Sequence, residues 1–272
     1  MIVPILVTLA VTVRAYRKNV NTLLSSLSSN TQIDYGFYNF STGENLDRVI
    51  AFAPCRADLT PTNCRSCISV AAIELLFRCP NQEGTMWYMN CTVRYSNNSI
   101  FGVMKFKPVQ QLSTTLEVTD PNGTFDRVRE TLLDRLRSEA AASASTLRKF
   151  ATGSASSPYF DICALLQCAP DLNQQECSDC RNQINIATIP TCCATAAEAR
   201  VLTPSCNLRY ENRLFYGSIQ APPLSSSTFS PPAEGKALPI YLCMSSSYLF
   251  SSRKMICLQA VKITMKINIF RK

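Results

Sequence analysis

A chain of 272 residues with fourteen cysteines, eight glycines and no histidine is long enough for two domains and closes off most familiar enzyme chemistries. Without imidazole there is no Ser-His-Asp or Cys-His nucleophilic pair and no His-dependent zinc site, and with no glycines spaced as G-x-G there is no phosphate-cradling loop. The net charge of +8 is local: Arg253, Lys254, Lys262, Lys266, Arg271 and Lys272 sit in a stretch without acids, and the other 21 basic residues meet 19 acidic ones, so the body offers no basic face for nucleic acid.

Residues 1–15, MIVPILVTLAVTVRA, read as a signal peptide. An apolar run from Ile2 to Val13 ends with small residues, Val13 and Ala15, at the −3 and −1 positions of a cleavage site. The charged leader is missing and Pro4 is early, so a buried strand over Ile2–Val13 is the competing reading. Val20, Leu23, Leu24 and Leu27 then recur at i, i+3, i+4 and i+7 and predict a helix. A second helix begins at Pro61, puts Cys67, Ala71 and Leu75 on one face, and stops near Cys79-Pro80. Short strands surround the next cysteine in MWYMNCTVRYS (86–96).

The same order follows a second time. Val128, Leu132, Leu133 and Leu136 predict a helix with Asp126 near its start. A C-x2-C helix stopping near Ile189-Pro190 comes next, then strands in EARVLTPSCNLRYE (198–211). Pro and Ser mark a linker at 221–235. Residues 236–272 form an unassigned basic tail, whose apolar stretch from Ala237 to Phe250 is shorter than the ~20 residues of a membrane span.

The repeat is written most clearly in the cysteines. CRADLTPTNCRSC (55–67) and CAPDLNQQECSDC (168–180) both obey C-x2-D-L-x4-C-x2-C, and eleven residues later come Cys79 and Cys192. CTVRYSNNSIFG (91–102) and CNLRYENRLFYG (206–217) share C-x2-R-Y-x-N-x3-[FY]-G, while NTLLSSL (21–27) matches ETLLDRL (130–136) and FSTG (40–43) matches FATG (150–153). A unit of roughly 100 residues, too long for a solenoid repeat, is duplicated as two beads on a string, 16–107 and 108–220. Helices followed by antiparallel strands make each an α+β domain, two helices packed on one face of a small antiparallel sheet.

Two chemistries compete for the cysteines. Cys64, Cys67, Cys177 and Cys180 would make a four-thiolate zinc site. The flanking Cys55, Cys91, Cys168 and Cys206 repeat in register too, so the repeating unit is a whole disulfide framework and no metal is expected. A thioredoxin-like reading fails, because neither C-x2-C follows a strand in a βαβ pattern. Cys64 and Cys67, one helical turn apart, should each bond outward, every such staple contributing about 2–4 kcal/mol. Four N-x-[ST] sequons, at Asn39, Asn90, Asn97 and Asn122, are consistent with an exported chain.

These spacings, twice over, resemble the plant ginkbilobin-homologous (salt-stress response/antifungal) domain. Tandem copies of it form the ectodomains of cysteine-rich receptor-like kinases and the cysteine-rich repeat secretory proteins. LLSSLSSNT, YGFYNFS, CPNQ, KFATG and IPTCC extend the likeness. The resemblance implies the pairs Cys55–Cys64, Cys67–Cys91, Cys168–Cys177 and Cys180–Cys206. The family's first cysteine, bonded to the fifth, has no counterpart before Cys55. That strands Cys79 and leaves the first domain short of its opening strand, unless Ile2–Val13 supplies it. Cys163, Cys192, Cys193, Cys243 and Cys257 stay unassigned.

Ginkbilobin-like members bind mannose through an Asn, an Arg and a Glu. The last two positions are Arg200 and Glu211 here; the first domain has Thr85 and Ser96, and the Asn is missing from both. A surface Arg–Glu pair linking strands is the competing reading. Arg94-Tyr95 and Arg209-Tyr210 read as packing, and Trp87 as core or interface. The resemblance implies a non-enzymatic recognition protein of plant defence and stress responses, secreted to the apoplast. It would bind a mannose-type glycan or a partner ectodomain, without cofactor or nucleic acid. The alternatives are a truncated ectodomain of a cysteine-rich receptor-like kinase, at the plasma membrane if the gene continues, and an antifungal mannose-binding lectin. The kinase motifs H-R-D and D-F-G are absent.

Overall fold

In the computed structural model residues 3–29, 36–79, 83–142 and 149–217 are described. The linker expected at 221–235, the tail at 236–272, Cys243 and Cys257 lie outside the described residues. The first element is helix α1, Val3–Ser29. Val3–Val13 is therefore helical, which overturns the strand reading. Pro4 falls in the first turn, where its missing N–H has no intrahelical partner to lose. Tyr16, Val20, Leu23, Leu24 and Leu27 bury along one side of this helix.

Strands β1 (Phe37–Thr42), β2 (Val49–Pro54), β3 (Glu83–Trp87) and β4 (Thr92–Ser96) form an antiparallel sheet in the order β1-β2-β4-β3. Between β2 and β3 runs α2, Pro61–Arg78. Thr60 caps it by accepting the Asn63 amide at 3.3 Å, and Pro61 occupies the first turn. Both are sequence-encoded start signals. The buried face of α2, with Ile68, Ala71 and Leu75, packs with α1 against the sheet.

The second domain repeats the plan and adds to it. β5 (Gln110–Ser113) precedes α3 (Thr124–Ala141). Then follow β6 (Phe150–Ser156), β7 (Asp161–Cys168), α4 (Gln174–Gln183), α5 (Ile189–Cys192), β8 (Ala199–Leu202) and β9 (Cys206–Glu211). The sheet order is β5-β8-β9-β7-β6, antiparallel throughout. The helix does not stop at Ile189-Pro190, as its spacing suggests. Ile184–Thr188 widens into a π segment, and a fresh helical turn then takes Pro190 in its first positions, where no N–H is required.

The domains are not separate beads. Strand β2 buries both faces: Val49, Ala51 and Ala53 join the core under α1 and α2, while Ile50 and Phe52 join Phe125, Leu132, Leu166 and Leu208 of the second domain. Alternate side chains of a strand point to opposite faces, so a strand sandwiched this way must read as one continuous apolar run, VIAFA. Ile100 is buried in the same shared core. Each such side chain stabilises by about 1.5–3 kcal/mol, and the seam thereby becomes part of the fold.

Candidate functional site

The repeated cysteines fix where each helix lands. The structure brings together Cys55 and Cys64 (Cα–Cα 5.6 Å), Cys67 and Cys91 (6.0 Å), Cys168 and Cys177 (5.7 Å), and Cys180 and Cys206 (6.3 Å). Cys55 and Cys91 are antiparallel bridge neighbours at the end of β2 and the start of β4, as Cys168 and Cys206 are between β7 and β9. Each C-x2-C helix thus drops two thiols onto two adjoining strands. All four thiols that a shared zinc would use are engaged, and no group of three or more His, Cys, Asp or Glu could hold a metal among the described residues. Cys192 and Cys193 bond to each other, and Cys163 is buried and free. Cys79 is also disulfide-bonded, not stranded.

The repeated polar residues do equivalent jobs twice. The Tyr95 hydroxyl donates to the carbonyl of Cys79, and that of Tyr210 to the carbonyl of Cys193 at 3.1 Å. Arg94 lies over the Phe52 ring at 5.9 Å and Arg209 over Phe215 at 4.1 Å. The motif Asp and the motif Gly are exchanged between domains. Asp171 accepts the Gly102 amide at 2.8 Å, and Asp58 accepts the Gly217 amide at 2.9 Å. Further bonds cross the seam, among them the Lys105 amide donating to the Ser205 hydroxyl at 2.8 Å. The Trp87 indole donates to the Thr203 carbonyl (3.1 Å), the Gln167 amide to Cys55 (2.7 Å) and Arg200 to Tyr88 (2.5 Å). Trp87 is an interface residue.

Arg200 and Glu211 do share one face of the second sheet. Arg200 sits opposite Arg209 in the β8–β9 register, and Glu211 lies two residues along from Arg209. Their partners are internal, however. Glu211 is buried and accepts from Arg209 (2.7 Å) and Arg213 (3.2 Å). The Arg200 guanidinium reaches into the seam, where burial, then neighbouring Arg209 and Arg56, push its pKa down to about 9 against the pull of Glu211. Thr85 is buried between strands and Ser96 is buried too, so the first domain presents no equivalent pair.

Around Arg200 the seam opens into a cleft of about 40 Å³. The first domain lines it with Arg56, Met89 and Asn90, and the second with Gln167, Arg200 and Arg209. Arg56 is held by Asp58 at 2.6 Å. Sequence reasoning missed Arg56 and Gln167, because each lies beside a motif cysteine and is not repeated in the other domain. Of the sequon asparagines, Asn39 on the outer strand β1 and Asn122 in the turn before α3 are exposed, while Asn90 and Asn97 are half-buried.

The comparison with known families agrees with this geometry. The salt stress response/antifungal family model matches residues 9–98 and 111–213, and the chain belongs to that family. It is 39% identical over 202 residues to cysteine-rich receptor-like protein kinase 29 of Arabidopsis thaliana, covering 73% of this chain and 30% of the kinase. To cysteine-rich repeat secretory protein 38 of the same plant it is 38% identical over 197 residues, covering 72% of this chain and 77% of that protein. Its fold matches the tandem DUF26 ectodomains of the Arabidopsis thaliana receptor-like proteins PDLP8 (TM-score 0.62, 22% identity, 73% of this chain and 90% of that one) and PDLP5 (0.59, 26%, 73% and 91%). The chain spans about a third of the kinase relatives it matches. It is an extracellular tandem ectodomain of the receptor-like or secretory kind, and its disulfides suit an oxidising compartment. Among the described residues no helix is long and apolar enough to cross a membrane.

Proposed function

We propose that the chain is a non-enzymatic recognition ectodomain of plant defence and stress responses that binds a partner ectodomain. The observation that carries this reading is the engagement of Glu211 within the protein. A sugar clamp needs an acceptor free to meet vicinal hydroxyls beside its donor, whereas here the buried Glu211 carboxylate is shared by Arg209 and Arg213. Two domains joined through a common core offer one rigid surface, and rigid presentation lowers the ordering cost of protein–protein binding. A second reading, the ectodomain of a receptor-like kinase, is favoured by the relation to kinase 29 over most of the described chain.

Biosensor titration of the oxidised chain against tandem ectodomains of its own family, itself included, tests the reading beside calorimetry with mannose. Saturable capture by at least one ectodomain, with no heat from mannose at millimolar concentration, is expected. Mannose binding that is abolished in Arg200→Ala/Glu211→Ala would overturn the reading in favour of a lectin.

A further inference from the structure

We propose that the cleft between the domains binds a carboxylate carried by a protein partner, gripped by Arg200 with Arg56 and Arg209 beside it. The inference rests on the partner-binding reading above and names the chemistry of its anchor. Charge balance is the first argument. Arg56, Arg200, Arg209 and exposed Arg213 lie around the seam, and three carboxylates, Asp58, Glu211 and Glu198, answer them, which leaves one positive charge in excess. Asp58 is taken by Arg56, and Glu211 by Arg209 and Arg213. Arg200 donates to a single backbone carbonyl, that of Tyr88. A half-buried guanidinium with donors left unused gains from an added anion, and its planar fork suits a carboxylate.

Gln167 supplies the second argument. It is 6% exposed and lines the cleft, and its amide nitrogen is committed to the Cys55 carbonyl. Its Oε1 is buried with no hydrogen-bond partner. Such an orphan acceptor calls for a donor. A peptide residue with an acidic side chain brings both requirements together, the carboxylate for Arg200 and an N–H for Gln167.

Size and rim separate a peptide from a sugar. A cleft of about 40 Å³ has room for about three water-sized groups, enough for a carboxylate but not for a buried pyranose ring. The rim offers Pro54, Pro204 and exposed Met89. Methionine and arginine are what protein interfaces favour.

The test uses the oxidised chain carrying Asn90→Gln, so that no glycan occupies the rim. Acetyl-Gly-Glu-Gly-amide and its Gln twin are titrated by NMR at equal, low ionic strength. Saturable shifts centred on Arg56, Gln167 and Arg200 are expected with the Glu peptide, about tenfold weaker with the Gln twin. Arg200→Gln should weaken the Glu peptide by about tenfold or more, and Arg56→Gln, at the cleft mouth, by about threefold. Should Arg200→Gln not fold, Arg56→Gln and the twin comparison decide. Equal binding of the twins, or shifts elsewhere, would overturn the proposal. Galacturonate binding without a response to the Glu peptide would overturn it in favour of a sugar acid. If family ectodomains bind and the Glu peptide does not, only the cleft assignment falls. If the Glu peptide binds and no ectodomain does, the cleft stands and its partner lies outside the family.

Discussion

The two domains share four strands, two main helices and a pair of staples, but they finish their sheets differently. In the second, β8 lies between β9 and β5; in the first, β3 pairs with β4 alone among the described residues. The first domain makes up the difference at the seam. Its β2 gives one whole face, Ile50 and Phe52, to the core of its neighbour, and Trp87 of β3 donates to the Thr203 carbonyl across the boundary. The same disulfide framework thus serves two described sheets of different size, one of which shares its core with the other.

The strongest way to break the comparison is at the shared core. Phe52→Ala should cost about 3–5 kcal/mol and lower the unfolding midpoint of the whole chain, as read by denaturant titration with probes in both domains. A loss confined to first-domain probes would show the seam to be superficial. The staples come next. Replacing Cys67 and Cys91 by serine, or Cys180 and Cys206, opens loops of sequence separation 24 and 26. Chain entropy then predicts a loss of about 3.5 kcal/mol in either case, so the two double variants should melt alike despite the different number of described strands in their sheets.

The exchanged aspartates give a smaller and sharper contrast. Asp171→Ala removes the acceptor of the exposed Gly102 amide, which water can then meet, and should cost about 0.5–1.5 kcal/mol. Asp171→Asn keeps an acceptor oxygen and should cost much less. Burial raises the Asp171 pKa, and the Gly102 amide and Arg94 only partly oppose it. The folded state thus holds this proton more tightly than the unfolded one. Stability should rise as pH falls from the raised folded pKa towards the ordinary carboxylate value, and fall again in the other direction. Thermal melts across mildly acidic pH should show that slope in the native chain and a shallower one in Asp171→Asn.

Local spacing made much of the architecture legible. The leucines of α1 and α3 repeat with helical period, Thr60-Pro61 announces α2, and cysteines one turn apart on a helix must bond outward. The seam was not legible, because its bonds join residues 112 and 116 apart in sequence with no periodicity between them. β5 was missed for a local reason: QQLS has a single apolar residue and gives no alternation. One signal was present without its meaning. The Asp and Gly of the two motifs repeat in each domain, but repetition does not name a partner, and each Asp serves the other domain's Gly. The resemblance named Arg200 and Glu211, but sequence alone could not show that Arg209 and Arg213 already share Glu211.

The claim on which the rest depends is that the tandem domains fold as one body. Scanning calorimetry of the oxidised chain tests it directly. A single transition, with van't Hoff and calorimetric enthalpies equal, is the predicted result; two resolved transitions, each shifted only by substitutions in its own domain, would contradict it.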